Sequence, residues 1–341
     1  MTDIDANLTE SDPRYRQLQR WVGSVVENLP THPSGAAKGV LMNWQAVTGD
    51  ASARRYFRVS YCDQSYIVMD APPPQEALGP FIDVAGRLQT SGLHAPSIFA
   101  ADSEAGFLLL EDFGQTLFQS LLAADQGQCL FDQVSPLLSV MAKNTAADGL
   151  PLYNATRLQA ELDLFPQWFA QQHLGQGFRR SEQVDWRFLC DQLIASAEAQ
   201  PQVFVHRDFH SCNLHQLKNG GVGIIDFQDA VLGPLSYDLV SWLWDRYITW
   251  PRSALETWIE QARLLLAPDI SASQWLRYCD LMALQRNLKI IGIFARLHYR
   301  DNKDGYLAMT PRFIDYVLDL FPRYPELGPA CNWLPAWLQA R

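Results

Sequence analysis

Two short apolar runs, each ending in an aspartate, constrain this chain more than any other feature. The first reads Val203-Phe-Val-His206-Arg207-Asp208 and leads through Phe-His-Ser-Cys to Asn213. The second reads Val222-Gly-Ile-Ile-Asp226. Apolar runs this short predict buried strands. A strand that ends in a polar loop offers its last side chains at the rim of a core, where a ligand can reach them. Asp208 stands five residues before Asn213 and eighteen before Asp226. One carboxylate to accept or orient a hydroxyl, with a carboxamide and a second carboxylate for a hard divalent cation, is the donor set of phosphoryl transfer. That chemistry needs positioning and charge neutralisation more than covalent intermediates.

Two other readings compete for the same residues. The acids can be buried caps of a strand-loop-strand motif. Alternatively, His206, His210, Cys212 and His215 have a loosely ligand-like spacing, although zinc sites usually add a second, distant pair. His206 reads better as a brace for the loop, through its ring hydrogen bonds.

Around this segment the pattern divides in two. Residues 13–29 carry Leu18, Trp21, Val22, Val25, Val26 and Leu29 at helical spacing, with Asp12 as cap and Pro13 in the first turn. Trp44–Val47, Tyr56–Ser60, Tyr66–Asp70 and Phe107–Leu110 predict strands, and 80–90 a helix. From Gly114 onward the pattern is helical over 115–124, 130–146, 155–174, 181–199 and from 236 to the end. The expected organisation is a β-rich lobe over 1–113 and a mostly helical lobe over 114–341.

Composition narrows the function classes. A net charge of −10 and the absence of a Lys/Arg-rich run argue against nucleic acid as partner. With 48% hydrophobic and 19% charged residues, the chain is not disordered. The six cysteines are widely scattered, which suits reduced thiols and a reducing compartment. The first residues lack an apolar leader core, and no apolar run is long enough to span a bilayer. The expectation is a cytoplasmic protein with a small-molecule substrate, no membrane contact and no obligate protein partner.

Thr48-Gly49-Asp50-Ala51-Ser52-Ala53-Arg54-Arg55 lies between two predicted strands. Small residues such as Gly49 and Ser52 let peptide N–H groups approach phosphate, and Arg54 and Arg55 can neutralise it. Glu111-Asp112-Phe113-Gly114 ends the strand that closes the β-rich part, either as a simple turn or as a connection between lobes.

The pattern His206-x-Asp208-x4-Asn213, followed by Ile224-Ile225-Asp226-Phe227, resembles the aminoglycoside phosphotransferase and choline kinase superfamily. The resemblance implies an α+β, bilobal, protein-kinase-like fold, with 1–113 as nucleotide-binding lobe and 114–341 as catalytic and substrate lobe. It implies ATP as donor and Mg²⁺ as cofactor. Asp208 becomes the catalytic base or hydroxyl-orienting residue, and Asn213 and Asp226 become the metal ligands. It also makes the backbone of Glu111 and Phe113 the adenine-binding hinge. One departure stands out. Most relatives carry a phosphate-gripping Lys on the third strand of the small lobe, whereas Tyr66-Ile-Val-Met-Asp70 has none. Arg54, Arg55 or Arg58 can supply that charge.

Further motifs are similar to a narrower group, the anomeric amino-sugar kinases of cell-wall recycling. They are the Thr48–Arg58 loop, Val68–Glu76, Glu161–Phe169, Asp226–Pro234 and Gln285–Arg296. This similarity implies phosphorylation of the anomeric hydroxyl of N-acetylmuramate and N-acetylglucosamine to the α-1-phosphate, on the way to UDP-N-acetylmuramate. The middle of the catalytic loop, Phe209-His-Ser-Cys212, departs from that group. Residues 281–303 carry Arg286, Lys289, Arg296, Arg300 and Lys303 against one acid, Asp301. That sign suits a carboxylate or phosphate and opposes a polycation. On a helix, Arg286 and Lys289 share a face and are candidates for the substrate. Trp168 and Phe165 either stack on a sugar or pack in the core, and Glu161 either accepts sugar hydroxyls or faces solvent. Asp238 is expected to be buried against the catalytic loop, and Asp229 either supports the metal or caps the next segment. The alternatives are an aminoglycoside or amino-alcohol kinase of the same fold and a nucleotide-binding pseudokinase.

Overall fold

The computed structural model describes residues 12–29, 42–47 and 53–339. It divides into two compact units. The first holds the described residues up to Gln89, with His94–Thr116 and His215–Gln228. The second holds Thr90–Leu93, Leu117–Leu214 and the chain from Asp229 onward.

In the first unit, helix α1 (Pro13–Val26) starts where the sequence indicates, with Asp12 accepting the N–H of Arg14 at 2.9 Å. Strands β1 (Asn43–Val47), β2 (Arg55–Tyr61) and β3 (Gln64–Asp70) follow, then helix α2 (Gly79–Thr90) and strands β4 (Ile98–Asp102) and β5 (Phe107–Glu111). The sheet is antiparallel throughout, in the order β1-β2-β3-β5-β4. Alternation along β2 puts Phe57, Val59 and Tyr61 on one face, where Leu18, Val22 and Val26 of α1 cover them. The sequence reading misses β4, because Ile-Phe-Ala-Ala-Asp carries little β-branched bulk.

In the second unit, a 3₁₀ turn at Phe118–Leu121 stands where the sequence predicts a helix over 115–124. The preceding Thr116 gives its carbonyl to the N–H of Gln216 and so leaves the helical path. Helix α3 (Gly127–Asn144) is followed by α4 (Ala155–Leu162), a π-helical segment (Phe165–His173) and α5 (Arg180–Glu198). The predicted single helix 155–174 is therefore broken near Pro166, whose ring nitrogen has no proton to donate. Strand β6 (Gln202–Val205) comes next. The chain then returns to the first unit with β7 (Leu214–Gln216) and β8 (Val222–Ile224), which pair with each other. This segment, which the sequence reading leaves in the 114–341 lobe, is fixed there by Ile224 N–H donating to the His94 carbonyl at 2.9 Å. Strand β9 (Val231–Pro234) pairs antiparallel with β6. Thus the two predicted strands near 203–227 do not pair with each other.

Helices α6 (Tyr237–Leu243), α7 (Arg252–Leu266), α8 (Ala272–Asp301), α9 (Thr310–Leu320) and α10 (Ala330–Gln339) complete the second unit. The 30-residue α8 is its axis and is buried without a break from Cys279 to Lys289. Gly292 of α8 meets the backbone entering the π-helical segment, where a Cβ would lie 2.6 Å from the Phe165 nitrogen. Gly292→Ala is expected to destabilise the protein by about 2 kcal/mol, because backbone cannot move aside as a side chain can. Gly86, exposed in α2 with nothing within 4 Å of its missing Cβ, gives the opposite sign. Gly86→Ala is expected to gain about 0.5–1 kcal/mol. Urea midpoints of the two variants check both.

Candidate active site

The second unit builds the loop that carries Asp208. Strand β6 delivers the chain to His206 and Arg207, and Arg207 takes a left-handed φ of 76°. A non-glycine residue holds that conformation only when its surroundings fix it. Here Asp238 of α6 fixes it, accepting the N–H of His206 at 2.7 Å and of Arg207 at 3.0 Å. Asp238 is buried against the Asp208 loop as expected, through peptide groups rather than a guanidinium. His206 braces the loop from within, its Nδ1 accepting the N–H of Asp208 at 3.3 Å. Asn213 Nδ2 donates to the Asp208 carbonyl at 2.9 Å, and Ser211 N–H donates to Asp245 at 3.0 Å.

No described group donates to the carboxylate of Asp208, although its own peptide is held on both sides. Burial opposes its ionisation, but the imidazole of His210 and the cations Lys289, Arg207 and Arg286 hold the carboxyl at about 2. At neutral pH it is an anion to which no described group donates.

Beside it lies a buried ionic network. Glu161 accepts from Arg207 Nη2 at 2.7 Å and from Tyr153 Oη, with Gln285 Nε2 at 3.4 Å and Lys289 Nζ at 3.5 Å. Lys289 also donates to Tyr237 Oη at 2.6 Å. Glu161 therefore holds Arg207, the residue before Asp208, rather than facing solvent. Burial raises its carboxyl, and the charges of Lys289 and Arg207 with the Tyr153 and Gln285 bonds bring it below the ordinary 4.5. Arg286 and Lys289 do share one face of α8, and both are buried. Phe165 is core, stacked on Trp186 at 5.3 Å, while Trp168 of the π-helical segment is half-buried.

The first unit holds a second group. Asp226 follows β8 with a left-handed φ of 63° and accepts from Gln228 Nε2 at 2.8 Å. Phe227 packs on Phe81 of α2 at 4.8 Å, which brings the segment before α2 alongside. Arg54 pairs with Glu76 at 2.9 Å. Burial pushes the Tyr56 hydroxyl up to about 12, with Arg54, Asp226 and Glu76 as its charged neighbours. The other two arginines are engaged elsewhere. Arg55 donates to Asp70 at 2.9 Å and to Asp12 at 2.6 Å, and Arg58 clasps Asp112 at 2.6 and 2.9 Å. Arg55 thus fastens β2 to β3 and α1, because Asp70 is fully buried and needs its charge answered. Gly49 and Ser52 lie outside the described residues. At the end of β5 the Glu111 carboxylate accepts from His94 and Ser97, and its N–H donates to the Ser97 carbonyl at 2.9 Å. No hydrogen bond among the described residues uses the peptide groups of Phe113.

The model of the phosphotransferase enzyme family matches residues 43–276, well over half of the chain. The chain belongs to this family. It is 40% identical to the N-acetylmuramate/N-acetylglucosamine kinase of Pseudomonas aeruginosa over 93% of this chain and 95% of that one. It is 38% identical to the protein of the same name from Pseudomonas putida, over 94% and 96% of the two chains. Its fold is similar to that of a choline kinase from Streptococcus pneumoniae, with a TM-score of 0.62 at 13% identity, over 89% of this chain and 99% of that one. The α+β, protein-kinase-like architecture expected from the catalytic pattern is therefore the fold of this phosphotransferase.

The zinc alternative finds no support. No group of three or more His, Cys, Asp and Glu is poised to hold a metal among the described residues. His210 Nε2 takes a hydrogen bond from Arg246 at 2.7 Å, and Cys212 lies 3.1 Å from Gln119 Oε1. Among the described residues no helix is long and apolar enough to cross a membrane. Sequence reasoning misses Glu76, Tyr56, Tyr153 and the roles of His210 and Arg246 in this phosphotransferase. Glu76 leaves a trace, as the first acid after the Pro72–Pro74 run.

Proposed function

We propose that this phosphotransferase moves the γ-phosphoryl group of ATP to the anomeric hydroxyl of N-acetylmuramate and N-acetylglucosamine. The product is the α-1-phosphate, which peptidoglycan recycling carries towards UDP-N-acetylmuramate. ATP as donor fits a cytoplasmic reaction. The observation that carries the reading is the Asp208 carboxylate, an anion without a described donor on a loop held by Asp238, His206 and Asn213. The acceptor comes from the relatives, which share one name at 40% and 38% identity over more than nine-tenths of both chains.

A carboxylate held at about 2 is a weak base, so Asp208 orients the hydroxyl and receives its proton late. An anomeric hydroxyl suits this role, because the adjacent ring oxygen makes it more acidic than an ordinary alcohol. The cations beside Asp208 oppose a polycationic acceptor such as an aminoglycoside.

Asn213 of the second unit and Asp226 of the first are the residues that would hold Mg²⁺, and each by itself offers the hard oxygen that Mg²⁺ takes. Asn213 donates through Nδ2 to Asp208, which settles which end of its carboxamide is oxygen. Asp226 offers a carboxylate at a backbone position fixed in the left-handed region. Mg²⁺, when bound, neutralises charge on the ATP phosphates. Arg54 takes the place of the missing strand Lys: it too is paired, with Glu76, but it has Asp226 and Tyr56 as neighbours, whereas Arg55 and Arg58 serve Asp70 and Asp112. Phe113, by its peptide N–H, is the hinge donor to adenine. Arg54→Gln is expected to raise the KM for ATP roughly tenfold, with the sugar KM unchanged. Arg55→Gln is expected to lower the melting temperature instead. Steady-state kinetics and thermal unfolding separate the two. A panel of acceptors with ATP tests the reading itself: turnover of the two amino sugars without turnover of kanamycin or choline supports it, and the reverse sinks it.

A further inference from the structure

We propose that Arg286, together with the Nδ1–H of His210, forms a receptor beside Asp208 for an anionic oxygen group carried by the reactants. The group is either the carboxylate of the acceptor sugar or the phosphoryl group in transfer. The proposal rests on the reading of Asp208 as the place of transfer.

The arginines of the second unit are mostly answered by acids. Arg207 pairs with Glu161, Arg252 with Asp280, Arg263 with Glu260 and Arg277 with Glu326. Arg286 is different. It is 5% exposed, its Nε has no hydrogen-bond partner, and its Nη1 reaches only the Trp244 carbonyl at 3.5 Å. No carboxylate pairs with it among the described residues. The charges of Asp208 and Asp238 act on Arg286, but neither carboxylate bonds it, and a buried N–H left without an acceptor is costly. Lys289 on the same face cannot play this part, because Glu161 and Tyr237 already engage it.

His210 supplies the second donor. Arg246 Nη2 donates to His210 Nε2 at 2.7 Å, and a guanidinium cannot accept. The ring proton therefore sits on Nδ1, which is buried and has no partner. His210 itself is 4% exposed. Two buried N–H groups without an acceptor thus lie near one carboxylate, whose ionisation both of them favour. An oxygen anion that both N–H groups bonded would complete both.

The two sources differ in the kinetics they predict. N-acetylmuramate carries a carboxylate and N-acetylglucosamine does not. If the carboxylate is the ligand, Arg286→Gln raises the KM for N-acetylmuramate roughly ten- to hundredfold and leaves N-acetylglucosamine unchanged. If the phosphoryl group is the ligand, kcat falls on the order of 10²-fold for both sugars at nearly constant KM. Arg286→Lys, which keeps the charge, restores part of either loss. A folded Arg286→Gln with both parameters within twofold of wild type for both sugars overturns the proposal. If that variant does not fold, wild-type thermal unfolding with lactate and with orthophosphate decides: a rise in melting temperature with either supports the receptor, and none with both overturns it. The same titration decides if wild type phosphorylates neither sugar, an outcome that ends the functional reading but not this one.

Discussion

Asp208→Asn is expected to lower kcat by roughly 10³-fold, with the KM for ATP and the melting temperature close to wild type. The variant keeps the shape and the loop. His206, Asp238 and Asn213 grip Asp208 and its neighbour through backbone groups, and asparagine has the same ones. Only the anion is lost. Because no described donor bonds that carboxylate, its replacement breaks no hydrogen bond, and Glu161 still answers Arg207 and Lys289. The loss is therefore kinetic rather than structural. Stopped-flow or coupled-assay rates beside a thermal melt check both halves. A variant with wild-type kcat contradicts the role of Asp208. A wild-type enzyme with no turnover of any acceptor returns the pseudokinase.

Glu161→Gln is expected to cost about 3 kcal/mol of stability, the largest single effect predicted outside the reaction. Glu161 is 12% exposed and is the carboxylate paired directly with two cations, Arg207 and Lys289, which glutamine leaves with only the Asp208 charge nearby. Arg207 holds the strained turn before Asp208, so activity falls with stability. The effect depends on pH with a definite sign. The folded Glu161 has a carboxyl below the ordinary 4.5, so its stabilisation is complete above that value and is lost as pH falls through the folded one. The gap between wild type and variant is therefore widest near neutrality and closes in acid. Urea unfolding at pH 7 and pH 4 measures it. A gap that widens in acid contradicts the ion network.

These two residues show what the sequence makes legible. Asp208 and Asn213 act through a local loop, so their roles are written in a spacing of five residues. Glu161 works through Arg207, Lys289 and Tyr153, and Arg207 lies 46 residues away in the chain. Spacing says nothing about such a partner, and an exposed helical position is an equally good reading of the sequence. Arg55 behaves alike. Its position after a small-residue loop suggests phosphate, yet Asp70 and Asp12 engage it, 15 and 43 residues away. The strands follow the same rule. Strand β2 reads clearly because it alternates, and β3 because Tyr66 to Met69 form an unbroken apolar run rich in strand-favouring side chains. Strands β7 and β9 span three and four residues, too few for a period of two to show. The partner of β6 is therefore a strand that the sequence does not announce, β9.

The phosphorus NMR spectrum of the product from wild-type enzyme, ATP and N-acetylmuramate tests the central claim most directly. One new phosphomonoester is expected, coupled to the anomeric proton, with the small sugar coupling of the α configuration. A phosphate coupled to the C6 protons, or no sugar phosphate while ATP is consumed with another acceptor, contradicts it.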